Sequence, residues 1–179
     1  MQPVRFGIIG CGNAASFHVL AAKSSPAPIV QFVAAHDVEE RSLRGFAQRQ
    51  GLTPFSDLER FLGSDIEAVL IAAPHHMHAP LTVAAAEAGK HVLCEKPMAR
   101  TLEECDEMIA AARRAGVKLM VAENHRFLPA HRLMKELLAA GLVVGELVEA
   151  GAGRGQQHHV AGCGQAGGDL DGVGQGAGQ

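Results

Sequence analysis

At 179 residues the chain can bury one sizeable core, or one domain and part of another. Hydrophobic residues make up 47%, which excludes a chain disordered throughout, and a net charge of −3 with no Lys/Arg run disfavours sequence-independent nucleic-acid binding. No apolar stretch reaches membrane-spanning length, the first strand leaves no room for a signal peptide, and Cys11, Cys94, Cys105 and Cys163 form no C-x-x-C pair; a reduced, cytoplasmic protein is expected.

The chain opens with a strand-length apolar run, Val4 to Ile9, which ends on Gly10-Cys11-Gly12-Asn13-Ala14-Ala15 before Ala- and Leu-rich helical sequence. Strand, glycine turn and helix in that order give G-x-G-x-x-G/A a physical meaning. Gly10 permits the tight turn, and Gly12 lets backbone approach a pyrophosphate with no side chain between. Ala15 takes the third small position, where helix packs on strand. With Asn13 beside them, these residues are candidate cofactor contacts, because the helix N-terminus aims unpaired N–H groups at an anion. A tight turn that binds nothing is the alternative.

The first helix, Ala14 to Lys23, closes before the breaker Ser24-Ser25-Pro26-Ala27-Pro28. Ile29 to Ala35 reads as the second strand and finishes at His36-Asp37. Asp37 stands about where the acidic residue of a dinucleotide site belongs, roughly 20 residues past the glycines plus a Pro-containing loop. A carboxylate there accepts the adenosine ribose hydroxyls and repels a 2′-phosphate, which favours NAD. It is also a good N-cap for a helix from Glu39. Arg41 leaves NADP possible, since it can meet a 2′-phosphate; otherwise it is a solvated first-turn arginine.

That helix, Glu39 to Gln50, puts Leu43, Phe46 and Ala47 on one face and stops at Gly51. Thr53-Pro54-Phe55 is a short third strand and Asp57 to Leu62 a brief helix. Glu67 to Ala73 is a buried strand running into Pro74-His75-His76-Met77-His78, and a helix follows from Ala79 to Ala88. His91 to Cys94 is the fifth strand, followed by Glu95-Lys96-Pro97. Thr101-x-x-Glu104 is a capping box opening a helix to Ala115, with Leu102, Cys105, Ile109 and Ala112 inward; Val117 to Val121 is the sixth strand. Short connections between alternating strands and helices argue a parallel, doubly wound sheet.

Gly10-x-Gly12-x-x-Ala15, Asp37, Ala73-Pro74-x-x-x-His78, Gly89 to Pro97 and Glu123-Asn124-His125-Arg126-Phe127 together resemble the Gfo/Idh/MocA oxidoreductase family, in register from residue 4 to about 150. Glu95-Lys96-Pro97 is the most specific part. The resemblance implies an NAD(P)-binding Rossmann domain followed by an α/β domain whose open sheet binds substrate and builds the oligomer. It also implies hydride transfer between nicotinamide and a sugar or cyclitol hydroxyl or ketone. The expected fold class is therefore α/β, a Rossmann doubly wound parallel sheet with an incomplete second α/β domain. The expected divisions are 1–125, 126–150 and a Gly/Gln-rich tail at 151–179.

Lys96 is the expected catalytic residue. At the carboxyl end of a strand its cation can polarise a carbonyl, hydrogen-bond the reacting oxygen, or pass a proton if burial depresses its pKa; a surface lysine paired with Glu95 is the alternative. The resemblance places Ala73, Pro74, His75 and His78 in a loop over the cofactor, with His76 toward solvent, and adds Glu95, Pro97, Asn124 and Arg126 to the cofactor set. His75, His76 and His78 lack the helical i, i+4 spacing of a zinc motif, so no metal is expected. Arg126 and Phe127 lead out of the Rossmann domain, a helix from Pro129 to Ala140 turns Leu133, Leu137 and Leu138 inward, and Val143 to Ala150 is the next strand.

The family's further Asp and His, four residues apart, have no counterpart: Asp169 is followed four residues on by Val173, and Asp171 by Gln175. From Gly151 onward 11 of 29 residues are Gly, with no Phe, Ile, Met or Lys. That composition predicts a disordered tail, left by truncation or a shifted reading frame, and a chain that is not by itself a working enzyme. Two functions fit: an oxidoreductase of which the cofactor half is present, or a dinucleotide-binding module that turns nothing over.

Overall fold

Short apolar runs separated by amphipathic helices leave the central strands buried on both faces, as a parallel sheet between two helical layers requires. The computed structural model describes residues 2–141. The chain divides into two compact units, 1–128 and 129–179. The first unit runs β1 (Val4–Ile9), α1 (Asn13–Lys23), β2 (Val30–His36), α2 (Glu40–Gln50), β3 (Thr53–Phe55), α3 (Leu58–Leu62) and β4 (Ala68–Ile71). A 3-10 turn (His75–Met77), α4 (His78–Glu87), β5 (His91–Cys94), α5 (Leu102–Ala115), β6 (Leu119–Val121) and a second 3-10 turn (Asn124–Phe127) complete it. The order across the sheet is β3-β2-β1-β4-β5-β6, and every neighbouring pair is parallel. This is the expected Rossmann arrangement, reversing between β1 and β4, where ligands of such sheets bind.

Alternate residues of the central strands divide between two cores. Ile9, Val69, Ile71 and Val92 pack with Phe61 of α3, Leu81 and Ala85 of α4 and Met108 of α5. On the other face Ile8, Ala35 and Leu70 pack with Ala15 and Val19 of α1 and Leu43, Phe46 and Ala47 of α2. Complete burial of a side chain such as Phe46 or Phe61 contributes about 2–3 kcal/mol each. The α2 face is as expected. On α5 Ala112 is buried as expected, but Leu102 is 77% exposed, Cys105 and Ile109 are half-buried, and Met108 and Ala111 complete the buried face. A residue in the first turn of a helix projects past the layer it caps, which the 3.6-residue period does not register.

Helix ends follow local chemistry. Glu39, Asp57 and Thr101 cap α2, α3 and α5 by accepting first-turn N–H groups, and Gly51 and Gly116 close α2 and α5 in the left-handed conformation. The N-cap of α2 is therefore Glu39, not Asp37. In the second unit, α6 (Pro129–Ala139) carries the apolar stripe expected to turn inward, yet Leu133 and Leu138 are exposed. The expected strand 143–150 and the tail 151–179 lie outside the described residues.

Candidate functional site

The turn after β1 is fixed by backbone sterics. Gly10 has φ +95°, and a Cβ there would stand 2.6 Å from the Ala72 carbonyl oxygen, so this position requires glycine. Its N–H donates to the His36 carbonyl at 2.9 Å, binding the turn to the end of β2. Gly12 is the N-cap of α1, and a Cβ on it would meet nothing within 4 Å, so the approach to the helix end is open. Neither a side-chain cap nor a first-turn acid occupies the N-terminus of α1. Ala15 is completely buried against the sheet, whereas Asn13 is exposed.

Asp37 holds the turn in place. One carboxylate oxygen accepts the Cys11 N–H at 2.7 Å and the other the Glu39 N–H at 2.9 Å. An ionised carboxylate has about four lone-pair sites, so acceptor capacity remains for a ribose. Burial, and then the neighbouring Asp37 charge, push the Cys11 thiol up to about 12, which removes it as a nucleophile. Arg41 is exposed one turn on, its amide N–H donating to Glu39 Oε1 at 3.0 Å.

The segment after β4 separates the histidines. Ala73 is half-buried, and Pro74, His75 and His76 are exposed. His78 is completely buried as the first residue of α4. Its Nδ1 lies 2.9 Å from the Pro97 carbonyl and its Nε2 3.0 Å from the Ala73 carbonyl. The His78 ring, expected among the cofactor contacts, is turned into the protein. Both ring nitrogens face backbone oxygens and no surface remains, so the ring ties the Ala73 loop to the Pro97 turn. Among the described residues no group of three or more metal-ligating side chains converges.

At the carboxyl end of β5, the Glu95 N–H donates to the Ile71 carbonyl at 2.9 Å. Glu95 Oε2 accepts the Lys96 N–H at 3.0 Å, and Oε1 lies 2.8 Å from His18 Nε2 on α1. Burial pushes this carboxyl up, but the bond to His18 and that from the Lys96 amide outweigh it, leaving it below the usual carboxylate range. Lys96 and Pro97 are exposed, joined by a cis peptide bond, and the Lys96 ammonium makes no hydrogen bond among the described residues. Cys94, buried beneath, has its thiol pushed up to about 12 by burial. Asn124 and Arg126 are exposed in the 3-10 turn after β6, where the Arg126 guanidinium sits 5.5 Å from the Phe127 ring centre.

Glycine turn, Asp37, Ala73–His75 loop, Lys96 and the Asn124–Arg126 turn all leave the sheet from its carboxyl edge. That edge suits a dinucleotide: an open glycine, an uncapped helix end, a carboxylate beside it and a solvent-facing cation two strands away. The open cleft between α1 and β2 (about 550 Å³, lined by Pro3, Lys23, Pro28 and Gln50) belongs to the opposite, amino edge. Sequence reasoning missed His18. The signal was there: Ala15, His18, Val19 and Ala22 share one helical face at i, i+3, i+4, i+7, and a titratable ring on that inward stripe needs a partner.

Residues 4–123 match the model of the Gfo/Idh/MocA oxidoreductase family, described as having an NAD-binding Rossmann fold. A 1-carboxy-3-chloro-3,4-dihydroxycyclohexa-1,5-diene dehydrogenase of Comamonas testosteroni is 41% identical over 77% of this chain and 35% of its own length. The WlbA dehydrogenase of Bordetella pertussis, solved with NADH and UDP-GlcNAcA, is similar at a TM-score of 0.74 and 30% identity, covering 78% of this chain and 40% of that one. KijD10, a 3-ketoreductase of Actinomadura kijaniata solved with NADP, is similar at 0.72 and 31%, covering 81% and 46%. The chain thus spans less than half the length of these relatives. It belongs to the Gfo/Idh/MocA oxidoreductase family, and its fold is the family's NAD-binding Rossmann fold.

Proposed function

We propose that this member of the family carries the cofactor-binding half of a cytoplasmic NAD(P)-dependent dehydrogenase acting on a hydroxyl or ketone of a sugar- or cyclitol-like substrate. The observation that carries the reading is the pairing of an uncapped α1 N-terminus at Gly12 with an exposed Lys96 on the same sheet edge. A bound nicotinamide supplies hydride acceptance or donation. The chain supplies the rest. The first N–H groups of α1, reached past Gly12 and Asn13, meet the pyrophosphate. Asp37 accepts the adenosine ribose hydroxyls and disfavours a 2′-phosphate, with Arg41 the residue that would relieve that repulsion. Ala73, Pro74 and His75 border the dinucleotide, as do Glu95, Pro97, Asn124 and Arg126. Lys96 hydrogen-bonds the reacting oxygen and stabilises negative charge on it.

Titration of the chain with NADH and NADPH, followed by nicotinamide fluorescence, tests the reading. NADH is expected to bind more tightly, and Asp37→Asn to narrow the gap by about tenfold, the worth of a hydrogen bond to a charged group. Equal affinity in the unchanged chain would transfer the choice to Arg41. No binding of either would end the proposal.

A second reading draws on the same cofactor edge: a dinucleotide-binding module without turnover. NADH formation from NAD across a panel of sugars and inositols separates the two.

A further inference from the structure

We infer that His18 is a positioning residue, linking through Glu95 the helix that receives the cofactor's phosphates to the turn that carries Lys96. The inference rests on the cofactor reading above. The geometry is a three-part chain. His18 stands on α1 one turn beyond Ala15, with its ring reaching the end of β5. Its Nε2 lies 2.8 Å from Glu95 Oε1, and Glu95 Oε2 accepts the backbone N–H of Lys96 at 3.0 Å. Both side chains are largely covered, at 27% and 18% exposure.

Cover decides what the contact can do. A carboxylate that has lost most of its water needs its remaining acceptor sites filled, and a hydrogen bond to a charged group is among the stronger non-covalent ties. Without the imidazole N–H, Glu95 would turn outward to regain water and release the Lys96 amide. The Lys96 turn has other anchors on its flanks, His78 to the Pro97 carbonyl and the Glu95 N–H to Ile71. Neither reaches the Lys96 amide. His18 thus sets where the Lys96 backbone sits, and does so from the element whose first turn faces the pyrophosphate. Occupation of one end and orientation of the other are coupled through two hydrogen bonds.

The test compares NADH with ADP-ribose, which shares the adenosine, pyrophosphate and second ribose but stops before the nicotinamide. In the full chain, His18→Leu should weaken NADH about tenfold more than ADP-ribose. His18→Gln, which keeps an N–H donor of similar reach, should restore the ratio to within about threefold of the unchanged chain. In nitrogen-proton correlation spectra the Lys96 amide proton should move upfield in His18→Leu and in Glu95→Gln, since its charged acceptor is lost or displaced. Equal weakening of both ligands, or an unmoved Lys96 amide, would overturn the inference and leave the cofactor reading intact. Failure of the unchanged chain to bind either ligand would overturn that reading instead; the Lys96 amide would still decide the link.

Discussion

Helices α1 and α5 begin in opposite ways. At α5 every device for closing a helix start is present. Thr101 Oγ1 accepts the Glu104 N–H at 3.2 Å, and Glu104 reaches back to the Arg100 N–H at 2.9 Å and to its guanidinium. Glu103 and Glu104 add first-turn negative charge. At α1 the cap is a glycine and the first turn holds no acid. The remaining uncapped start in the first unit, α4, continues directly from a 3-10 turn whose backbone leads into it. A glycine cap forgoes only a few tenths of a kcal/mol, roughly, against Ser or Asp, and leaves the first N–H groups to solvent. Leaving them open beside Gly10 and Asp37 is the mark of an end meant for something other than its own chain.

The strongest way to break that comparison lies within the turn itself. Gly10→Ala forces a side chain into φ +95° and against the Ala72 carbonyl, and should destabilise the fold by about 3 kcal/mol in urea unfolding. Gly12→Ala, with φ −86° and open space around it, should change stability by under about 0.5 kcal/mol while weakening NADH. Two glycines two residues apart would then separate a folding requirement from a binding one. Comparable destabilisation by both would mean the open approach at Gly12 is merely part of the turn.

Smaller, and at the other helix, is the effect of Thr101→Ala. Loss of the N-cap should cost about 1 kcal/mol and leave NADH affinity where it was. A change in affinity would show that α5 is not the purely structural counterpart assumed here.

Much of this was legible beforehand because it is written in local chemistry. Gly10, Gly51 and Gly116 sit where turns demand positive φ, and Thr101 caps as its spacing with Glu104 predicts. The six strands follow from apolar runs, and their parallel pairing from the short connections to the helices between them. What was not legible depended on contacts between distant segments. His78 is separated by 19 residues from Pro97, and His18 by 77 from Glu95. A histidine in a loop motif looks the same in sequence whether it faces a ligand or two carbonyls. Asp37 likewise reads as a good N-cap, and only the proximity of the Cys11 amide assigns it to the glycine turn.

The smallest expected effect uses one carboxylate from each region. Glu95 and Glu104 are both held below the usual carboxylate range, for different reasons. Glu104 owes its shift to the Arg100 side chain and then its amide; its own side chain is as covered as that of Glu95, at 19% against 18%, but its partner Arg100 is 56% exposed where His18 is 27%. Glu95 is opposed first by burial and held down by His18 and the Lys96 amide. A carboxyl with a lowered folded-state pKa contributes stability that is present above its unfolded value, about 4.5, and is lost as pH falls through the folded one. Both contributions therefore disappear on acidification below that point, and neither varies above it. Salt distinguishes them. At 0.5 M the screening length is about 4 Å, so the pair whose cation is open to solvent is screened more than the pair covered at both ends. Urea unfolding at pH 3.5 and pH 6 should show Glu104→Gln reducing the pH dependence in low salt and reducing it less at 0.5 M NaCl. Glu95→Gln should reduce it in both. If salt reduces the Glu95 effect as much as the Glu104 effect, the His18–Glu95 contact behaves as a pair open to solvent, and the link from α1 to Lys96 is too weak to position anything.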